Sequence, residues 1–264
     1  LRQALDAGDI SMELVEVSVA RVLKMKIELG LFDNPYVDEG RVLDVYSQPE
    51  QIGLSRTLAQ KSLPLPKNEN ALFPLQKNIK SIAVIGPNAD NIRSLQGDYH
   101  YPAHMVHIFE QYLSADAPMP QGQRIAVDNF TWDDHYPPTV SIFNAIKGLA
   151  EDDTTVTYAQ GCDVLNSDDS GFSEAIELAK NSDVVVMVSG DKSGLGRGST
   201  VGESNDKSDL NLPGIQQQLL EAVHATGTPV VLVCVAGRPY AITWPDENFP
   251  ASLYAWLPAQ AGWL

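Results

Sequence analysis

The sequence predicts an α/β fold, an open, mostly parallel sheet sandwiched by helices, and three observations predict it. The runs SIAVIG (Ser81 to Gly86), DVVVMVSG (Asp183 to Gly190) and PVVLVCVAG (Pro229 to Gly237) are apolar along nearly their whole length. Strands apolar on both faces belong to parallel sheets covered by helices. Between them lie segments with helical spacing, such as 215–226, where Ile215, Leu219, Leu220 and Val223 share one face. The alternation of the two patterns implies right-handed βαβ units.

The elements follow in order. Residues 11–30 form the first clear helix, with Leu14, Val15, Ser18, Val19, Val22, Met25 and Leu29 at helical spacing. Ser11 can cap its start and Gly30 can close its end. Asn34-Pro35 then breaks the pattern, and residues 33–53 read as a linker. A short helix is expected near 54–62. From Ile79 strands and helices alternate: strand 81–86, helix 140–149, strand 154–159, helix 172–181, strand 183–190, helix 215–226, strand 229–237, and a last strand in ASLYAW (Ala251 to Trp256). The irregular stretch from Tyr99 to Pro138 is long for a compact domain, so it is expected to be functional or to pack on a neighbour.

Composition narrows the function. Among 264 residues, 34 are acidic and 18 are Lys or Arg, for a formal charge of −16. Nucleic acid and anionic membrane both demand a positive face, so neither is an expected partner. No apolar run reaches the ~18 residues of a membrane span. The two cysteines, Cys162 and Cys234, are far apart, and Cys234 lies within an apolar strand, so a disulfide framework is not expected. Five scattered histidines do not make a metal site. His100, His104 and His107 have a suggestive spacing, but no Glu or Cys is placed to complete a zinc set. The chain begins inside a helical pattern, LRQALDAGD, and stops at LPAQAGWL. It is expected to be a piece of a longer protein.

In an open α/β sheet, ligands bind beyond the carboxyl ends of the strands. The strand 183–190 is followed there by SGDKSGLGRGSTVGESNDKSDLNLPG, a long aperiodic segment with Gly190, Gly194, Gly196, Gly198 and Gly202. Those glycines let the backbone approach a ligand closely. Glu203 stands among small polar residues in its second half. The residues alone leave it open whether Glu203 is a solvated loop carboxylate or a reacting group. The glycines of Gly194 to Gly198 sit mid-loop, far from the next helix, and no Gly-Lys-Ser/Thr follows, so neither a dinucleotide fingerprint nor a P-loop is formed. No motif points to a cofactor. In GDYHYP (Gly97 to Pro102), Asp98 and Tyr99 could bond and stack on a polar ligand, or form a turn that covers an interface. Arg238, after the strand 229–237, could pair with a carboxylate at the same edge or be an ordinary surface arginine. No Gly-x-Ser-x-Gly elbow marks a serine hydrolase.

Taken together, these blocks resemble glycoside hydrolase family 3, the β-glucosidase and β-xylosidase family. SVARVLKMKIELGLFDNPYVD is similar to the last helix of that family's (β/α)8 barrel. LAQKSLPLPKNENALFPL resembles the entry to its second domain, and KSIAVIGPNAD with GDYHYP resembles that domain's first strand and loop. GESNDKSDLNLPGIQQQLL and PVVLVCVAGRPYAITW match two further blocks. Five such blocks in the right order are specific.

The resemblance implies residues 1–32 as the end of the barrel, 33–74 as a linker and entry segment, and 75–264 as an α/β sandwich domain cut short at its end. It implies a retaining exo-β-glycosidase acting on terminal β-D-glucosyl residues, with β-linked gluco-oligosaccharides or aryl and alkyl β-glucosides as substrates. Glu203 matches the family's general acid/base, which would need burial or a second carboxylate to hold a proton near neutral pH. Asp98, Tyr99, Lys207 and Arg238 are implied to shape the cleft. The nucleophile should follow a Ser-Asp-aromatic pattern, but the Ser-Asp pairs here precede Asp169, Val184 and Leu210. The chain is therefore expected to supply the acid/base and not the nucleophile. Alternatives are a non-catalytic carbohydrate-binding or interaction module of the same fold, and β-xylosidase or β-N-acetylhexosaminidase specificity. Three departures stand out. Lys207 replaces the family's Arg after Asp206, keeping charge but losing the planar fork. Pro64 and Pro66 replace aliphatic strand residues, so that strand is expected to be distorted or at an edge. LPAQAGWL departs from the family's closing Pro-Gly-x-x-Gly-Gly.

Overall fold

The computed structural model describes residues 1–46, 48–105, 138–195 and 198–259. The chain divides into two compact units, Leu1–Gln51 and Ile52–Leu264. His107, Gly196 and most of the Tyr99 to Pro138 stretch lie outside the described residues.

The first unit holds α1 (Arg2–Asp6), α2 (Met12–Glu28) and α3 (Val42–Val45). Ser11 caps α2 as its sequence suggests, its Oγ accepting the Leu14 N–H at 3.3 Å. Gly30, at φ +68°, follows the helix in the left-handed conformation that glycine adopts without strain. The apolar stripe of α2 stays open: Leu14, Val19, Val22 and Met25 are all exposed. Residues 33–53 are not a bare linker. Asp38 caps a 3₁₀ turn at Glu39–Arg41, accepting the Gly40 N–H, and α3 follows. The next helix, α4 (Pro49–Lys61), starts well before residue 54. Proline at its first position explains the earlier start, because a first-turn N–H has no intrahelical partner to lose.

The second unit is built on a six-stranded sheet of β1 (Lys67–Asn68), β2 (Ser81–Ile85), β3 (Thr155–Ala159), β4 (Val184–Gly190), β5 (Val230–Val235) and β6 (Ala251–Tyr254). The strand order is β1-β6-β5-β4-β2-β3. All neighbours are parallel except β1, which pairs antiparallel with β6. The two-residue β1 follows Pro66 directly at the sheet edge, where a missing donor costs least.

Alternation along each central strand explains why these runs read as wholly apolar. Val185, Met187, Leu232 and Cys234 point to one face, and Val184, Val186, Val188, Val231, Val233 and Val235 to the other. The first face is covered by α6 (Phe172–Lys180), α7 (Gln216–His224) and α8 (Thr243–Asn248) through Ala175, Leu219, Leu220, Val223 and Trp244. The second is covered by Ile142, Phe143 and Ile146 of α5 (Ile142–Leu149) together with Leu72, Phe73 and Leu75. Cys162 and Cys234 are both free and buried. No helix among the described residues is long and apolar enough to cross a membrane.

The chain runs from β2 outward to β3 and then returns to place β4 on the other side of β2. The segments leaving β2 and β4 therefore diverge from adjacent strands, and the crevice between them is where an open α/β sheet binds its ligand.

Candidate active site

Two glycines let the strand exits lie close together. Gly86 ends β2 at φ +131°, and a Cβ there would stand 2.1 Å from the Val188 carbonyl oxygen. Gly190 ends β4 at φ +152°, and a Cβ there would stand 1.7 Å from the Val235 carbonyl oxygen. Side chains are excluded at both positions by backbone rather than by movable atoms. Gln216, fully buried at the start of α7, closes the Gly190 peptide. Its Oε1 accepts the Gly190 N–H at 2.9 Å, and its Nε2 donates to the Gly190 carbonyl at 2.8 Å.

Beyond Gly190 the chain forms a loop closed at its root. Lys192 N–H donates to Thr200 Oγ1 at 2.9 Å, Thr200 N–H returns to the Lys192 carbonyl at 2.9 Å, and Gly194 N–H donates to the Val201 carbonyl at 3.0 Å. Arg93, in the segment after β2, donates from its guanidinium to the Ser193 carbonyl and to the Gln96 carbonyl. The β2 exit thus grips the β4 exit.

Glu203 stands just beyond that root, two residues past Val201, at the tip of the turn that follows. Asn205 N–H donates to the Gly202 carbonyl at 3.0 Å, so residues 202–205 make a tight turn, with Ser204 at φ +65°. Asp98 Oδ2 accepts the Glu203 backbone N–H at 3.0 Å. The Tyr99 hydroxyl donates to Glu203 Oε2 at 2.8 Å. That bond and the negative charge of the carboxylate hold the Tyr99 phenol above its ordinary range. Glu203 is exposed, leaving its carboxylate open to an incoming group. Asp98 and Tyr99 therefore meet Glu203 itself, an arrangement their sequence positions did not disclose.

Arg238 pairs with a carboxylate of the loop itself. It donates to Asp206 Oδ1 at 3.0 Å and to the carbonyls of Lys207 and Asp209, and it lies 5.7 Å from the Tyr240 ring centre. It braces the far limb of the Glu203 loop. Lys207 joins through its backbone, and its ammonium forms no ion pair among the described residues. Among the described residues no group of three or more His, Cys, Asp or Glu is placed to hold a metal ion.

Asp191 was not singled out by sequence, although it is the first charged residue after the apolar run of β4. It is fully buried. Its carboxylate accepts the Gly237 N–H at 3.0 Å, and its carbonyl accepts from Asn88 Nδ2 at 2.7 Å. Burial pushes its pKa up to about 6, opposed by the Gly237 hydrogen bond, Tyr240 and the Arg238 charge. The arrangement as a whole offers one solvent-facing carboxylate, held by a phenol and a second carboxylate over a rigid root. Such a group can give or take a proton at a ligand's oxygen.

The Glycosyl hydrolase family 3 C-terminal domain pattern matches residues 65–263. A beta-xylosidase from Formosa agariphila is 35% identical over 248 residues, covering 93% of this chain and 30% of that protein. The lysosomal beta glucosidase of Dictyostelium discoideum is 30% identical over 269 residues, covering 99% of this chain and 29% of its own length. A mutant β-glucosidase from Listeria innocua in complex with laminaribiose superposes with a TM-score of 0.69 at 25% identity, over 99% of this chain and 31% of that one. This chain thus spans about 30% of the length of the curated relatives it matches.

Proposed function

Because this chain belongs to glycoside hydrolase family 3, we propose that it forms part of a retaining exo-β-glycosidase in which Glu203 is the general acid/base. The observation that carries this is the placement of Glu203: an open carboxylate at the crevice between the β2 and β4 exits, fixed by Asp98 and Tyr99.

In the proposed reaction a carboxylate nucleophile attacks the anomeric carbon while Glu203 gives its proton to the departing glycosidic oxygen. Glu203, now ionised, takes a proton from water. That water attacks the anomeric carbon and releases the nucleophile. No Ser-Asp-aromatic motif occurs in the 264 residues, so the nucleophile belongs to sequence outside them. Residues 1–32 fit the end of the barrel that would carry it, and the exposed apolar stripe of α2 supports this.

The substrate class proposed is a terminal β-D-glucosyl residue of a gluco-oligosaccharide or simple β-glucoside, supported by the likeness to β-glucosidases, one of them holding laminaribiose. A β-xyloside is the second reading, favoured by the likeness to the Formosa enzyme. Comparison of kcat/KM on aryl β-glucoside and aryl β-xyloside separates the two. For Glu203, the test is Glu203→Ala in the full-length protein. Loss of about 10²–10⁴-fold in kcat/KM on a phenyl glycoside is expected. Activity within about threefold of wild type would assign the loop to binding alone.

A further inference from the structure

At the root of the loop that carries Glu203, one buried residue joins three strand exits. Asp191 N–H donates to the Val235 carbonyl of β5 at 3.0 Å. Its carbonyl accepts from Asn88, in the segment after β2, at 2.7 Å. Its carboxylate accepts the Gly237 N–H, at 3.0 Å to Oδ2 and 3.3 Å to Oδ1. Gly237 in turn lies against the loop, since a Cβ added there would stand 3.7 Å from Val201 Cγ1 and 3.3 Å from Leu257 Cδ1. Val201 is two residues before Glu203, and the residue after Asp191 is bonded in both directions to Thr200. Tyr240 completes the contact, with its hydroxyl beside Asp191 and Thr200 but without a well-formed hydrogen bond to either.

We propose that Asp191 is a positioning residue for Glu203: its carboxylate locks the turn after β5 against the β4 exit and so fixes the root from which the Glu203 loop rises. The proposal rests on the assignment of Glu203 as acid/base. Glu203 follows the root by two residues, so a displacement there carries over to it, and acid catalysis is sensitive to errors of about an ångström. The groups that face the carboxylate are Arg238 and Tyr240 from the segment after β5, Cys234 from β5 and Tyr254 from β6. Arg238 supplies positive charge, and its own contacts to Asp206 and Asp209 hold the far limb of the same loop.

The test exploits leaving-group chemistry. A dinitrophenolate departs without a proton, whereas a phenolate needs one, so a misplaced acid is felt only on the poorer leaving group. In the full-length protein, Asp191→Ala is expected to lower kcat/KM on phenyl β-glucoside by about 10-fold or more. On 2,4-dinitrophenyl β-glucoside the loss is expected to stay below about threefold. Asp191→Asn, which keeps an acceptor for Gly237, should restore most of the phenyl glucoside rate. If Asp191→Ala does not fold, Thr200→Val, which removes the acceptor for Lys192 N–H, is measured in its place and should show the same bias. Equal losses on the two substrates, no loss at all, or an Asn variant as impaired as Ala would overturn the proposal. Glu203→Ala run alongside separates the failures. If it shows no leaving-group bias, the acid/base assignment has failed. If it does and neither root variant does, the positioning role alone has failed.

Discussion

Asp191 and Glu203 are carboxylates at the root and the tip of one loop, and their surroundings are opposite. Asp191 has no exposed surface, and its neighbours are fixed by β2, β4 and β5. Glu203 is exposed, and two side chains from the β2 exit hold it by one backbone and one side-chain hydrogen bond. The difference teaches where rigidity and reactivity reside. The root is over-determined and bears on stability. The tip is held in place yet left open, as a group that must meet a substrate has to be. Substitutions at the root should therefore register in unfolding as well as in turnover, and those at the tip in turnover alone.

The largest expected effect on stability is at Gln216. Gln216→Leu leaves the Gly190 N–H and carbonyl buried without their partners. Each lost partner costs about 1–3 kcal/mol, so urea unfolding should show a loss of about 2–6 kcal/mol. An unchanged midpoint would mean that the root is less rigid than described.

Asp191→Asn should show the next largest effect, with a sign that depends on pH. The folded pKa is raised from 3.8 to about 6. Between those values the folded protein binds more protons than the unfolded chain, so the contribution of Asp191 to stability is full below about pH 4 and is lost as pH rises through about 6. Removing the charge should flatten that window and raise stability at pH 7 by up to about 3 kcal/mol, the upper bound set by a shift of about two pK units. Thermal unfolding from pH 4 to 8 measures it. Identical pH dependence in the two proteins would contradict the buried, ionised assignment.

At the tip, Tyr99→Phe deletes one exposed hydrogen bond and should change stability by less than about 0.5 kcal/mol. Its effect belongs in catalysis, as a several-fold fall in kcat/KM on phenyl glycoside from looser placement of Glu203. A stability loss like that of Gln216→Leu would erase the distinction between root and tip.

Much of this organisation was legible in the residues. The strands β2, β4 and β5 were readable because both faces of each are buried, which turns alternation into a continuous apolar run. The Ser11 cap and the position of Glu203 on the β4 exit were readable for the same local reasons. The meeting of Asp98, Tyr99 and Glu203 was not, because it depends on β4 lying beside β2 although β3 intervenes in sequence. Strand order is a tertiary property that periodicity does not encode. Asp191 was hidden for a related reason: a charge after an apolar run looks like a loop residue until Gly237 folds over it. The helical turns within 33–53 were missed because Asn34-Pro35 and Gly40 weigh as breakers, while Asp38 and Pro49 also serve as starts.

The central claim, that Glu203 is the acid/base of a retaining reaction, is tested most directly by azide rescue of Glu203→Ala on 2,4-dinitrophenyl β-glucoside. With its base removed, the glycosyl-enzyme should wait for a nucleophile that needs none. Azide, attacking the anomeric carbon from the face the aglycone left and releasing the carboxylate nucleophile, should raise kcat by about 10-fold or more and yield the β-glycosyl azide. No acceleration, or an α-glycosyl azide, would contradict it.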